Sequence, residues 1–410
     1  MTTNIPGVFR TYRYIVDIFT VIIGDEIIEI DPNFISSLGL EKDFDNDAFP
    51  VLQLQFSMSD SVYYRIIENK QNVQFKLRVM KYIYDENNKI RSKKQLINDV
   101  FISFIEEEAP QVDKKLKENV SDESLLVANK LLQVFLFKQH DLVNTKNYIN
   151  GVFHDVTLTD MITYILSTSG IKKVLLAPFH NLKTYDEIII PPMTLLDSID
   201  YLENVYDGFY NNGSVKFFDY DCMYFIDKGR RNNVFRNNEH TQTIISILDP
   251  TNMESMSSGC SLDDTNRRTY INVPPSAFTS SGVSIINEHI NANNAIIISP
   301  TTGDITTIEP PVREITGKVY KLLIDRYSNK RAISKYNMLS SENDGIINIG
   351  VNGIDVASFT PNKEFKIIFE NQAINKTLGG DYRISKAIFM FSKEGTEFSL
   401  MGDIQLKKIR

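Results

Sequence analysis

Leu52-Gln53-Leu54-Gln55-Phe56-Ser57-Met58 carries an apolar side chain at every second position. Successive side chains of a strand point to opposite faces, so this spacing predicts a half-buried strand with its Gln and Ser residues on the wet face. Downstream, Val73, Phe75, Leu77 and Val79 repeat the alternation against Gln74, Lys76 and Arg78. From Met80 the phase moves to Met80, Tyr82 and Tyr84, which predicts a β-bulge or a barrel corner there. Asp85-Glu86-Asn87-Asn88 supplies turn residues before the next apolar stretch, Leu96 to Ile105, and Tyr12 to Ile23 gives an earlier strand. Residues 1–110 therefore read as an antiparallel β-barrel. Glu106-Glu107-Glu108 and the charged run to Glu123 lack a sustained apolar stripe, so 111–150 reads as a connector, partly helical from Ser121 to Phe137.

The next block changes period. Thr157-x-x-Asp160 is a capping-box start, followed at helical spacing by Leu158, Met161, Ile162, Ile165 and Leu166, with Gly170 as the stop. Pro191-Pro192 precedes a second start, Thr194-x-x-Asp197, with Leu195, Ile199, Leu202 and Tyr206 along one face and Asp207-Gly208 closing it. Val174 to Leu176 and Ile188 to Ile190 read as short buried strands. Val215 to Ile226 is aromatic and β-prone after an Asn211-Asn212-Gly213 turn. Residues 151–230 thus form a small α/β domain. From 231 to 310 the chain is rich in Ser, Thr, Asn and Pro, which predicts loops over a surface or interface, apart from Thr243 to Leu248 and Ala295 to Ile298. Between 311 and 410, Val319 to Ile324, Ile346 to Val351, Phe365 to Phe369, Ser385 to Phe391 and Phe398 to Leu406 predict a second barrel. The fold class is α+β, mainly β: two antiparallel β-barrels with an inserted small α/β domain.

A chain of 410 residues that is 42% hydrophobic and 23% charged is long enough for several cores and too apolar for disorder. No apolar run approaches the roughly 20 residues of a membrane helix, so no membrane span is expected. Met1 to Phe9 has no basic start followed by an apolar core, so no secretory signal is read and the mature chain is expected to begin near Met1. The net charge of −8 gives no global attraction to nucleic acid, and pairs such as Lys172-Lys173, Arg230-Arg231 and Arg267-Arg268 read as solvated surface.

Chemistry-bearing patterns are sparse. Cys222 and Cys260 stand alone, without a C-x-x-C, and read as plain thiols. Five histidines, His140, His154, His180, His240 and His289, lack the i, i+4 spacing of a metal pair; His154-Asp155 before a helix reads as a surface residue. There is no G-x-S-x-G elbow and no phosphate loop ending in Lys-Ser or Lys-Thr. Asp43, Asp45 and Asp47 have calcium-loop spacing, but Ala48 stands where Gly is needed and Leu54 where a bidentate carboxylate belongs, so a solvated acidic loop is expected. Asp219 and Asp221 are the pair of carboxylates a glycoside hydrolase would need, in a pattern commonplace in β-rich chains. No catalytic residue, cofactor or metal ligand is assigned. Twenty-five Phe and 19 Tyr, clustered as Tyr63-Tyr64, Phe209-Tyr210, Phe217-Phe218, Tyr220 and Tyr224-Phe225, point instead to a scaffold.

The run Thr157 to Tyr164, then Tyr185-Asp186-Glu187-Ile188-Ile189-Ile190-Pro191-Pro192, Leu195 to Leu202, and Gly208-Phe209-Tyr210 to Phe218-Asp219-Tyr220-Asp221 resembles the baseplate central-hub proteins of contractile-tailed bacteriophages. So does the ending, Gly379-Gly380-Asp381-Tyr382-Arg383-Ile384-Ser385-Lys386-Ala387 with Phe389, Phe391 and Glu394-Gly395, which is similar to the closing strands of their tube-like barrel. The resemblance covers 150–230 and 375–410; elsewhere the match is only in β content. It implies a structural virion protein of the tail baseplate, assembled in the host cytoplasm, with two tail-tube-like barrels per chain. It further implies a homotrimer that joins the six-fold tail tube to the three-fold central spike, receives the baseplate wedge proteins, and lines a channel for DNA or tape measure protein without gripping phosphates. Two alternatives stand beside it: a distal tail or tube-initiator protein forming hexamers, and a tail-associated cell-wall hydrolase. Candidate partner-facing residues are Asp197, Asp200 and Glu203, spaced along the polar face of the second helix, and Arg383 near the end as a barrel contact.

Overall fold

The computed structural model describes residues 8–85, 87–106, 130–210, 213–220, 222–228, 234–235, 239–249, 260–281, 294–298, 305–307, 319–323 and 346–409. The chain opens with β1 (Val8–Phe9) and the long β2 (Thr11–Ile23), onto which β3 (Glu26–Glu29) folds back. The hairpin of β4 (Ile35–Asp43) and β5 (Val51–Met58) follows, then helix α1 (Asp60–Glu68), β6 (Val73–Tyr84), β7 (Ile90–Glu106), β8 (Lys130–Lys138) and helix α2 (Gln139–Thr145). In β5 Leu52, Leu54, Phe56 and Met58 are all buried, as the alternation requires.

The inserted unit contains β9 (Tyr148–Thr157), α3 (Leu158–Thr168), β10 (Val174–Leu176), β11 (Thr184–Thr194), α4 (Leu195–Val205), β12 (Ser214–Phe218) and β13 (Met223–Asp227). β9 and β11 pair as an antiparallel ribbon, while β13 lies between β12 and a parallel β10. Both helices begin as their sequences predict. The Thr157 hydroxyl accepts from the Asp160 amide at 3.2 Å while the Asp160 carboxylate accepts from the Thr157 amide at 2.9 Å, a complete capping box. Thr157→Ala is expected to lower stability by about 1 kcal/mol, read as a shift in the denaturant midpoint; an unchanged midpoint would remove the cap from the account. Gly170 (φ +76°) ends α3, and Asp207-Gly208, both left-handed at +64° and +72°, turn the chain after α4.

The last part contains β14 (Gln242–Ile247), β15 (Cys260–Asp263), β16 (Arg268–Val273) and β17 (Phe278–Ser281). A separate three-stranded sheet of β18 (Asn294–Ile298), β19 (Ile305–Thr307) and β20 (Val319–Leu323) follows. Then come β21 (Ile346–Asn352), β22 (Glu364–Phe369), helix α5 (Gln372–Leu378), β23 (Gly380–Glu394) and β24 (Glu397–Lys408).

Strand pairing runs β23-β4-β5-β8-β7-β6-β2-β24, and β23 pairs again with β24, so these strands close an antiparallel barrel. Residues 1–110 therefore do not close the first barrel by themselves; β8 and the last hairpin of the chain complete it. The same hairpin continues into a second set of strands: Gly380 to Tyr382 of β23 pair with β22, and Met401 to Lys407 of β24 pair with β21. Beyond β22 lie β14, β16 and β15, and beyond β21 lies β17, and among the described residues no pairing joins β17 to β15 or β1, so this expected second barrel is not closed. The fold is mainly β, one closed eight-stranded barrel whose last hairpin also carries an open flanking sheet, with the α/β unit inserted. One contiguous core cluster runs through all three parts. Tyr14, Phe56, Phe75, Phe101, Phe217 and Phe359 are fully buried in it, each contributing about 1.5–3 kcal/mol.

Three expectations change. Residues 130–138 form a strand, not the end of a helix; residues 121–129 of that expected helix lie outside the described residues. The 231–310 stretch contributes β14 to β17 to the sheet flanking the shared hairpin, and β14 runs parallel to both β16 and β22. The phase of β6 does not move: Val79 and Lys81 are both buried, and the extra residues sit on the neighbouring strands, Leu96 on β7 and Asp17 on β2. Lys81 points inward because Asp355 waits there, its carboxylate 2.7 and 2.8 Å from the Lys81 Nζ.

Candidate functional site

The segment between β4 and β5, residues 44–50, is where the closed barrel, the shared hairpin and the inserted unit meet. Phe44 packs edge-on against Phe217 of β12 at 4.6 Å between ring centroids, and Phe49 stacks on Phe218 at 5.2 Å. The Phe218 amide donates to the Ala48 carbonyl at 2.7 Å. Lys42, at the end of β4, donates to Asp219 at 2.7 Å with both side chains buried, a second tie between barrel and insert.

Asp45 is the centre of this joint. Its side chain is only 4% exposed and accepts from Arg383 Nη1 at 2.6 Å, Ser385 Oγ at 2.7 Å and Lys407 Nζ at 2.6 Å, with Lys228 Nζ 3.6 Å away. Arg383 and Ser385 come from β23, Lys407 from β24, and Lys228 follows β13, so one carboxylate ties the first barrel to the shared hairpin and to the insert. Burial alone would raise its pKa, but Arg383, with Lys228 and Lys407, holds the carboxyl well below the usual carboxylate range. The loop is thus not the solvated acidic loop its sequence suggested: Asp43 is buried as well and accepts from the Asn46 side chain at 3.0 Å. A second buried pair, Lys81 with Asp355, joins β6 to the turn after β21; burial would raise Asp355, and Lys81 holds it low.

The residues singled out from sequence fall as follows. Arg383 lies in the Asp45 joint, a barrel contact within the chain. Asp197 is exposed and serves the α4 cap, accepting from the Thr194 hydroxyl at 2.6 Å. Asp200 pairs with Lys216 of β12, and Glu203 accepts from the Ser214 amide at 3.0 Å and hydroxyl at 2.7 Å. The structure brings Asp200 and Glu203 together on Lys216 and keeps Asp197 apart. Asp219 is locked onto Lys42, and Asp221 lies outside the described residues, so the paired carboxylates of a glycosidase are not assembled among the described residues. Nor do the described residues contain a group of three or more His, Cys, Asp or Glu able to hold a metal. No helix among them is long and apolar enough to cross a membrane. Sequence reasoning placed Asp45 in a solvated loop and missed Lys42 and Lys81; the one local signal is Lys81, a charged residue standing between Met80 and Tyr82 in a strand.

The fold is similar to that of solved tail proteins. The tail protein from Neisseria meningitidis MC58 superposes with a TM-score of 0.53 at 10% identity, covering 96% of each chain. The 43 kDa tail protein of prophage MuSo2 from Shewanella oneidensis gives 0.52 at 10% identity, covering 95% of this chain and 98% of that one. A chain of the lidded PdpA-VgrG complex of Francisella gives 0.50 at 10% identity, covering 98% of this chain and 53% of that one. No curated protein matches the chain in sequence. The family model of the Bacteriophage PBS1 gene 109 protein matches residues 12–409, and the chain belongs to that family. The fold is thus one shared with these tail proteins, and the family is that of a bacteriophage protein.

Proposed function

We propose that this protein is a subunit of a trimeric central hub in the tail baseplate, with a structural and not a catalytic role. The observation that carries the reading is the hairpin of β23 and β24, which closes one barrel and continues into a second set of strands: two tube-like units per chain would let three chains present six, matching a six-fold tube above to a three-fold spike below. The buried joint at Asp45 supports it, because a ring subunit that transmits load must hold its two units at a fixed angle. In this reading the tail tube protein, the central spike and the wedge proteins bind the ring's faces, and DNA or tape measure protein passes through without specific binding. Asp197 and Asp200, exposed on α4, are available to such partners.

The expected result is a trimer by light scattering coupled to size exclusion, with three-fold rings in negative stain and an interface above roughly 2,000 Å². A hexamer would favour a distal tail or tube-initiator protein instead. A stable monomer at micromolar concentration would overturn the hub.

A further inference from the structure

We propose that the free edge of β7 binds an extended acidic segment of a partner protein as an added strand. β7 pairs with β6 along Ile90 to Ile102, but on its other side β8 pairs only with Phe101 to Glu106. Among the described residues, Ile90 to Asn98 have no strand on that side, a row of backbone donors and acceptors at the boundary of the sheet. The start of this edge is exposed, Ile90 at 57%, and its Lys94 to Asn98 part opens onto a cleft of about 840 Å³ that is also lined by Lys172 and Lys173, just before β10. Gln95 and Asn98, opposite Met80 and Arg78, and Lys94 and Asp99, opposite the buried Lys81 and Leu77, all line the cleft; these come from both faces of β7, and a strand shows both faces where it presents its edge.

Charge selects the occupant. Every carboxylate on the cleft wall already faces a basic group of the same wall. Lys94, Lys172 and Lys173 are exposed, line the cleft and have no ion pair among the described residues. Tyr220 lines it too, its ring packed against Phe101 of β7. Edge lysines and the bulge at Leu96 are devices that repel indiscriminate strand pairing, and they do so least for a strand carrying carboxylates.

The test uses the full chain and a labelled pool of peptides of about eight residues, Glu at alternate positions with Val, Thr, Ile or Ser between. Binding is followed by fluorescence anisotropy, and amide exchange is followed at residues 90–98. The expected result is saturable, salt-sensitive binding that slows exchange along that edge. It should weaken about tenfold when Lys replaces Glu in the peptides, and again when their alternate amides are N-methylated. The double variant Lys172→Glu, Lys173→Glu, on an exposed turn, should weaken binding about tenfold at an unchanged melting temperature. No binding, equal binding of the N-methylated pool, or no protection at 90–98 would overturn the proposal. So would protection of that edge by self-association without peptide, which would assign the cleft to a second copy.

Discussion

Asp45→Ala is expected to cost about 3–5 kcal/mol of unfolding free energy, the largest single loss in this chain for a side chain so small. Removing the carboxylate leaves Arg383, Lys407 and Lys228 facing one another inside the joint without a counter-charge, with Arg383 and Lys407 only 11% and 14% exposed. The cost comes from those cations more than from the lost bonds, since burying an unpaired charge is what the interior tolerates least. Arg383→Met should therefore cost less, because Lys407 and Lys228 continue to neutralise Asp45. Chemical denaturation of both variants decides it: equal losses, or a loss below about 1 kcal/mol for Asp45→Ala, would show that the joint is decorative. The same pairing has a pH signature. A carboxyl whose pKa is depressed by folding contributes stability that is complete above its unfolded value, about 3.9, and is lost as pH falls through the lower folded value. Wild type should lose stability steeply below about pH 4, and Asp45→Ala should show a shallower acid limb.

The elements that could be read from the sequence are those whose two faces differ in chemistry. β5 alternates apolar with Gln and Ser, and α3 and α4 carry a Thr cap, an apolar stripe and a glycine or Asp-Gly stop, so local physics determines them. β8 fails the same test: Leu132, Val134 and Leu136 face the core, but Leu131, Phe135 and Phe137 make the opposite face apolar as well, and alternation disappears. Exposed Phe104 on β7 stands directly opposite Phe135, so this outer surface is apolar on both strands. β15 to β17 are strands of four to six residues with Ser and Thr among them, too short for a period to emerge.

The site was the least legible part, because its members are remote in the chain. Lys81 and Asp355 are separated by 274 residues, Lys42 and Asp219 by 177, Asp45 and Arg383 by 338. Each charged residue, taken alone, reads as surface. Only closure of the barrel by the last hairpin brings Arg383 to Asp45, and nothing local to either residue specifies that closure. Asp200 and Glu203 illustrate the converse: their spacing gives the correct helix face, but Lys216 and Ser214 arrive from β12, a strand whose position the helix does not determine.

Ile199→Asp should abolish the inserted unit and, with it, the integrity of the barrel. Ile199 lies on the α4 stripe with Leu195 and Leu202, all three at 0% exposure, and the helix carries no Lys or Arg of its own. An ionised carboxylate there has no partner, and the loss is expected to exceed about 4 kcal/mol, beyond what a marginally stable domain survives. The failure should not stay local. The insert supplies Phe217 and Phe218 to the aromatic clamp on Phe44 and Phe49, and Asp219 to Lys42; without it Lys42 becomes an unpaired charge at the wall of the first barrel. Because the apolar core is one cluster, insert and barrel should melt in a single transition in the wild type and be lost together in the variant. Asp200→Asn, at a side chain 53% exposed, is the control and should change stability by less than about 1 kcal/mol. Soluble Ile199→Asp with an unchanged melting curve would show that the α4 face is wrongly assigned. A variant that lost only the insert, with the barrel melting as before, would show that the joint transmits no stability between them and would remove the mechanical argument for a rigid ring subunit.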